Sequence, residues 1–215
     1  SVPRDPSSHA NIDAFVTTHL VLDLTADFDA QTLSGSAELR LNRRDPKATE
    51  LVLDTRDLMI RAVETATGSG KWTSTSYHLD SPSPAFGSAL RIAVPTGADR
   101  VRVAYASSPS AKGLQWLAPP QTAGKRKPFL FSQAEAIQAR SFIPLQDLPG
   151  VRITYEATIR TPKDLTAVMA AEMTPAEAGS GVFRFRMPQP IPSYLIALAI
   201  GDLTFKAMSE RTGVW

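Results

Sequence analysis

Alternation with a period of two runs through this chain and points away from helices. Val151 to Arg160 (VRITYEATIR) alternates strongly. His19 to Asp27 (HLVLDLTAD) places Leu20, Leu22 and Leu24 on one face. Successive side chains of a strand point to opposite faces, so each run reads as a strand half-buried against a core. After a polar turn at 28–32, Leu33 to Leu41 returns as the second arm of a hairpin. Further strands are predicted at Glu50–Leu53 and Met59–Thr65, with a polar edge candidate at Thr73–Leu79. Leu90–Val94 and Val101–Tyr105 read as a hairpin-like pair around Pro95-Thr96-Gly97. Val182–Arg186 and Tyr194–Leu203 complete the set, the latter apolar on both faces, and Thr174–Gly181 is a turn. Leu165–Ala171 suits a strand, although its Ala and Met also suit a helix. No amphipathic helix longer than two turns and no solenoid period is evident. With 17 prolines and 12 glycines to supply turns, the fold class is all-β.

Bulk properties narrow the function. The 215 residues suit one large β domain, and 43% apolar residues can bury a real core. A net charge of +2 excludes a charged disordered tail. The one basic run, Lys125-Arg126-Lys127, lies between Gly124 and Pro128 and reads as a solvated turn, so no nucleic-acid partner is expected. The first fifteen residues hold no apolar signal core, and the longest apolar run, Tyr194–Ile200, is too short to span a bilayer. No membrane partner is expected.

Catalytic chemistry is missing. With no cysteine there is no thiolate ligand or nucleophile. His9, His19 and His78 form no H-E-x-x-H, and each reads as a surface histidine. There is no G-x-S-x-G elbow. Gly68-Ser69-Gly70 lacks the Lys-Ser/Thr of a phosphate loop, and Asp54 and Asp57 read as turn-flanking caps. On its residues the chain is a binding or supporting domain.

The segment most suited to binding is Phe129 to Pro144, FLFSQAEAIQARSFIP. It opens as an apolar strand and sets Gln133 and Glu135 two residues apart between Ala134 and Ala136. If the strand continues, both lie on one face, an amide beside a carboxylate. That pair suits an amine and its neighbouring peptide group, and it equally suits a solvated edge. Upstream, the 107–127 stretch is a long loop with apolar anchors Leu114, Trp116 and Leu117, so it reads as packed. Trp116 is a packing anchor, and Gln138 and Arg140 brace the loop.

Several motifs occur in one order: LQWLAPPQTAGK at 114–125, PFLFSQAEAIQAR at 128–140, PIPSYLIALAIGDL at 190–203 and RTGVW at 211–215. Together with the 23–39 hairpin and LVLDTRDL at 51–58, they resemble the M1 zinc aminopeptidases, and more narrowly the leukotriene A4 hydrolase-like branch. The resemblance covers nearly the whole chain. It implies a saddle-shaped, largely antiparallel or mixed β domain over residues 1–215, the N-terminal domain of a longer enzyme. A thermolysin-like zinc domain and a helical C-terminal domain are expected outside this chain. Zinc is the implied cofactor of the full enzyme, with no ligand here, and the chain alone is expected to be inactive. The implied partners are the protein's own catalytic domain and a peptide N-terminus as substrate. Gln133 would contact the substrate backbone near the scissile bond, and Glu135 would bind the free α-amine. The hydrolase branch often carries Gln at this Glu, which favours peptide cleavage over epoxide hydrolysis. The implied location is cytoplasmic. A non-catalytic β interaction module on the same scaffold is the alternative. A carbohydrate-binding sandwich fits less well, because aromatics are only 7% and form no row.

Overall fold

The chain's structure is a computed structural model that describes residues 1–175 and 179–203. The RTGVW segment and the middle of the 174–181 turn lie outside the described residues. The strands are β1 (Phe15–Asp27), β2 (Thr32–Arg43), β3 (Glu50–Thr55), β4 (Met59–Ala66) and β5 (Thr73–Ser74). They continue with β6 (Tyr77–Leu79), β7 (Ser88–Ala93), β8 (Arg100–Ala106), β9 (Leu114–Leu117) and β10 (Phe129–Ser132). Then come β11 (Arg152–Arg160), β12 (Thr166–Met169), β13 (Glu172–Met173), β14 (Val182–Pro192) and β15 (Leu198–Gly201). Single 3-10 turns occur at Pro119–Gln121, Ala139–Ser141 and Ser193–Leu195. No described helix is long and apolar enough to cross a membrane. The all-β reading holds.

Three sheets enclose one core. The eight-stranded sheet runs β13-β14-β11-β1-β2-β8-β4-β5, a second runs β12-β15-β10-β9, and a third runs β3-β7-β6. Pairing is antiparallel except for β1 with β11, which run parallel from His19↔Thr154 to Thr25↔Arg160. Leu20, Leu22, Leu39, Val101 and Tyr155 of the first sheet meet Leu130, Ala167 and Ile200 of the second and Leu51, Leu53 and Leu90 of the third in one buried cluster.

The alternation of β1 changes phase at a bulge between Thr17 and His19. Phe15 and Thr17 are buried before it, and Leu20, Leu22 and Leu24 after it. One extra residue exchanges the faces of a strand, which lets β1 serve the core along its whole length. Gly35, opposite Leu24, has φ +147°, and a Cβ there would sit 1.9 Å from the Asp23 carbonyl oxygen. Only glycine allows the β1–β2 pair to close so tightly. Prolines 188, 190 and 192 lie in β14 beyond the residues that β13 pairs, where no strand pairs on that side among the described residues.

Two expectations change. Leu90–Val94 and Val101–Tyr105 are not partners: β7 pairs with β3 and β6, whereas β8 pairs with β2 and β4. The 95–97 turn carries the chain between sheets, and alternation says nothing about which neighbour a strand chooses. The Tyr194–Leu203 strand shortens to β15 behind the Ser193–Leu195 turn. The polar 73–79 edge divides into β5 and β6, each at the end of its sheet. Leu165–Ala171 resolves as strand β12.

His19 is not the surface histidine expected. Its Nδ1 lies 2.6 Å from Thr154 Oγ1, its Nε2 lies 3.4 Å from Glu156 Oε2, and its side chain is 17% exposed. Burial and then Arg40 hold its pKa below the ordinary histidine value, against the opposing pull of Glu156 and Glu38. The unfolded chain takes up this proton near pH 6.5, roughly a model histidine's value, and the native chain does so lower. This contribution to stability is therefore complete above that pH and is lost as pH falls through the window below it. We expect the urea midpoint of His19→Gln to fall less between pH 7 and pH 5.5 than that of the parent chain. Parallel pH profiles would contradict this account of His19.

Candidate functional site

The strand that opens the binding segment ends early. β10 stops at Ser132, where its pairing with β9 ends at Ser132↔Leu114, so Gln133 and Glu135 do not lie on a continuing strand. The alternation nevertheless persists one step further. Gln133 and Glu135 are exposed and Ala134 between them is buried. The Gln133 N–H donates to the Gly113 carbonyl at 2.8 Å, which keeps the backbone extended for one more residue. The chain then turns through 135–138, across a cis peptide between Glu135 and Ala136, into the buried Ala139–Ser141 turn. Among the described residues neither the Gln133 nor the Glu135 side chain has a hydrogen-bond or ion-pair partner.

This turn is fastened on two sides. On one, Gly113 lies against it: its N–H donates to Ser141 Oγ at 2.8 Å, and Ser141 Oγ donates to the Gln138 carbonyl at 2.7 Å. A Cβ on Gly113 would lie 2.5 Å from both the Gln138 carbonyl oxygen and Ser141 Oγ, so the approach needs glycine. The Gln138 N–H closes the turn onto the Ala134 carbonyl at 2.9 Å. On the other side stands Arg140, whose side chain is fully buried.

Arg140 braces the loop, as its sequence position implies, through a cluster that the sequence reading missed. Its Nε donates to Asp147 Oδ2 at 2.9 Å and its Nη2 to the Asp147 carbonyl at 3.1 Å. Nη1 donates to the Ser7 and Phe86 carbonyls, each at 2.8 Å, and lies 3.7 Å from Asp54 Oδ1. Asp54 is not a turn cap: its carboxylate is buried and accepts from Ser8 Oγ at 2.5 Å, His9 N at 2.7 Å and Asp147 N at 2.9 Å. His9 Nδ1 lies 3.0 Å from the same carboxylate, so His9 is half-buried and tied to the cluster rather than free on the surface. Ser193 Oγ donates to Asp147 Oδ1 at 2.6 Å. Burial pushes the Asp147 carboxyl above its ordinary range, while Arg140 and Ser193 pull it back. One signal was available: an arginine in the apolar run Ala139-Arg140-Ser141-Phe142-Ile143 has to find a buried carboxylate.

Trp116 packs edge-to-face on Phe28 with ring centroids 5.1 Å apart. Lys125 and Arg126 are exposed, and Lys127 lies 3.7 Å from Asp202. Among the described residues no three His, Cys, Asp or Glu side chains are placed to hold a metal ion. The described residues therefore supply no zinc site. A cavity of about 560 Å³ lies under the N-terminal segment, lined by Ser8, His9, Ile12, Asp45 and Leu148, not by Gln133 or Glu135. Gln133 and Glu135 thus lie exposed on a turn outside that cavity.

Fold and site define a β domain that presents an amide and a carboxylate on a rigidly backed turn. Its family is shown by comparison with known proteins. Residues 12–195 match the model of the peptidase M1 N-terminal domain, and the chain belongs to that family. It is 38% identical to leucine aminopeptidase 2 of Pyricularia oryzae, over 98% of this chain and 35% of that protein. It is 36% identical to leukotriene A-4 hydrolase of Xenopus laevis, over 98% of this chain and 36% of that protein. The yeast LTA4 hydrolase structure in complex with bestatin superposes with a TM-score of 0.85 at 32% identity, covering 95% of this chain and 31% of that one. An M1 zinc metallopeptidase of Deinococcus radiodurans, at 21% identity and a TM-score of 0.68, shares the fold. The chain spans about a third of the length of the curated relatives it matches.

We expect Arg140→Gln to destabilise the chain by about 3–5 kcal/mol, because it strands two buried carboxylates without their cation. Urea denaturation at pH 7 measures this. A loss within ±0.5 kcal/mol, roughly that of an ordinary surface substitution, would show that the cluster is not needed.

Proposed function

We propose that this chain is the substrate-amine-binding domain of a zinc aminopeptidase, of the leukotriene A4 hydrolase-like type, that removes residues from peptide N-termini. The observation that carries the reading is the exposed Gln133–Glu135 pair, unpartnered among the described residues yet fixed from behind by Gly113 and Arg140. An ammonium moved out of water needs a carboxylate partner, and a charge-assisted hydrogen bond is about twice as strong as a neutral one. A carboxylate held at a fixed place also measures the substrate: it accepts a free N-terminus and rejects an internal peptide, which brings no charge to it. Gln133, on the same side of the turn, reaches the adjoining peptide group. The site's second wall and the zinc ligands belong to the protein's own catalytic domain, outside these residues. Zinc supplies a polarised water and carbonyl when bound there. Glu135, Gln133 and the turn behind them hold and orient the substrate's first residue. The presence of Glu rather than Gln at 135 favours peptides over an epoxide fatty acid. The cytoplasm is the location this reading favours.

Glu135→Gln in the longer protein keeps the shape and removes the charge. We expect kcat/KM for a free-amine peptide to fall about 10- to 100-fold, the equivalent of one hydrogen bond to a charged group. Unchanged kcat/KM would overturn the assignment. In the 215-residue chain Glu135→Ala should leave the urea midpoint unmoved, because the carboxylate is exposed and has no partner among the described residues.

A further inference from the structure

The cluster behind the recognition turn reaches the opposite end of the chain. Asp5 Oδ1 accepts from the Ser7 N–H at 2.8 Å and the Ser7 hydroxyl at 2.6 Å, which bends residues 5–9 into a strap. From that strap the Ser7 carbonyl accepts from Arg140, and Ser8 Oγ and the His9 N–H hold the Asp54 carboxylate. Asp54 in turn holds the Asp147 N–H, and Asp147 holds Arg140 through both its backbone N–H and its guanidinium. Arg140 sits within the Ala139–Ser141 turn, whose Ser141 hydroxyl holds the Gln138 carbonyl, and Gln138 closes onto Ala134 beside Glu135. Every link is a directional hydrogen bond or ion pair rather than a slidable apolar contact.

We propose that Ser8 and His9 are positioning residues for Glu135, so that the N-terminal strap sets how well the longer protein recognises a free α-amine. This rests on the amine-binding reading above. Neither residue touches substrate: Ser8 acts through Asp54. Without the Ser8 hydroxyl, Asp54 Oδ2 keeps one donor, the Asp147 N–H. The carboxylate then re-aims at the guanidinium 3.7 Å from its Oδ1 and draws it off Asp147. The Ala139–Ser141 turn moves with Arg140, and the Glu135 carboxylate leaves the place where it meets the ammonium. Displacements well below 1 Å weaken a positioned contact measurably.

The test is a double-mutant cycle in the longer protein with an aminoacyl anilide reporter. Wild type, Ser8→Ala, Glu135→Ala and the double variant are compared by KM and kcat, with melting temperature as the check on folding. Ser8→Ala is expected to lower kcat/KM about tenfold, chiefly through KM. In the Glu135→Ala background it should add less than about twofold, the scatter expected of additive sites, because the group it positions is gone; independent sites would keep the full, roughly tenfold cost. Ser8→Thr, which keeps the hydroxyl, is expected to restore binding. Equal costs of Ser8→Ala with and without Glu135, or no cost at all, would overturn the proposal. Wild-type kinetics in Glu135→Ala alone would instead sink the amine-binding reading, and the strap's role with it. Should Ser8→Ala melt below the assay temperature, His9→Gln, which keeps the backbone N–H on Asp54 and loses the ring contact, is read by the same cycle.

Discussion

A guanidinium with no access to water lies at the meeting point of this fold. Arg140 is enclosed by Asp147, Asp54 and the carbonyls of Ser7 and Phe86. Desolvating one such ion costs several kcal/mol even after relaxation, roughly as much as the whole margin of a small domain's stability. The cost is bearable only when every donor finds its acceptor together. The N-terminal strap, the end of β3, the loop before β7, the loop before β11 and the Ser193 turn are therefore brought to one point, although they are remote in sequence. Apolar burial assembles the three sheets, and this cluster fixes how the loops at their ends are placed.

That placement separates rigidity from exposure. The Gln133–Glu135 turn has left its sheet and faces solvent, which would ordinarily make it mobile. Here Ala134 is buried, Gly113 closes on one side and Arg140 anchors the other. A group fixed before any ligand arrives avoids an ordering cost at the moment of binding, which would subtract from affinity. Among the described residues no cluster could hold a metal ion, and the chain spans about a third of its relatives' length.

Much of this was legible in the sequence, for identifiable reasons. Alternation reports which face of a strand is wet, so β1, β2, β11 and the edge character of β5 and β6 could be read directly. It is silent about neighbours, so Val94 to Val101 was read as a hairpin when the chain was changing sheets. Gln133 and Glu135 stood out as polar residues in an apolar run, although the strand thought to carry them stops at Ser132. Asp54 was misjudged because an acid next to a turn looks solvated, and only partners distant in sequence, among them the half-buried His9, make it interior. Asp147 and Ser193 carried no local signal. Gly113 was one turn glycine among many until its missing Cβ was seen to make room for Gln138 and Ser141.

What Glu135 holds is best decided by a crystal structure of the longer protein with a free-amine substrate analogue. We expect the analogue's ammonium nitrogen at about 2.7–2.9 Å from the Glu135 carboxylate, the span of a charge-assisted bond, with Arg140 still enclosed by Asp54 and Asp147. An ammonium held by other residues, with Glu135 left facing solvent, would contradict the account.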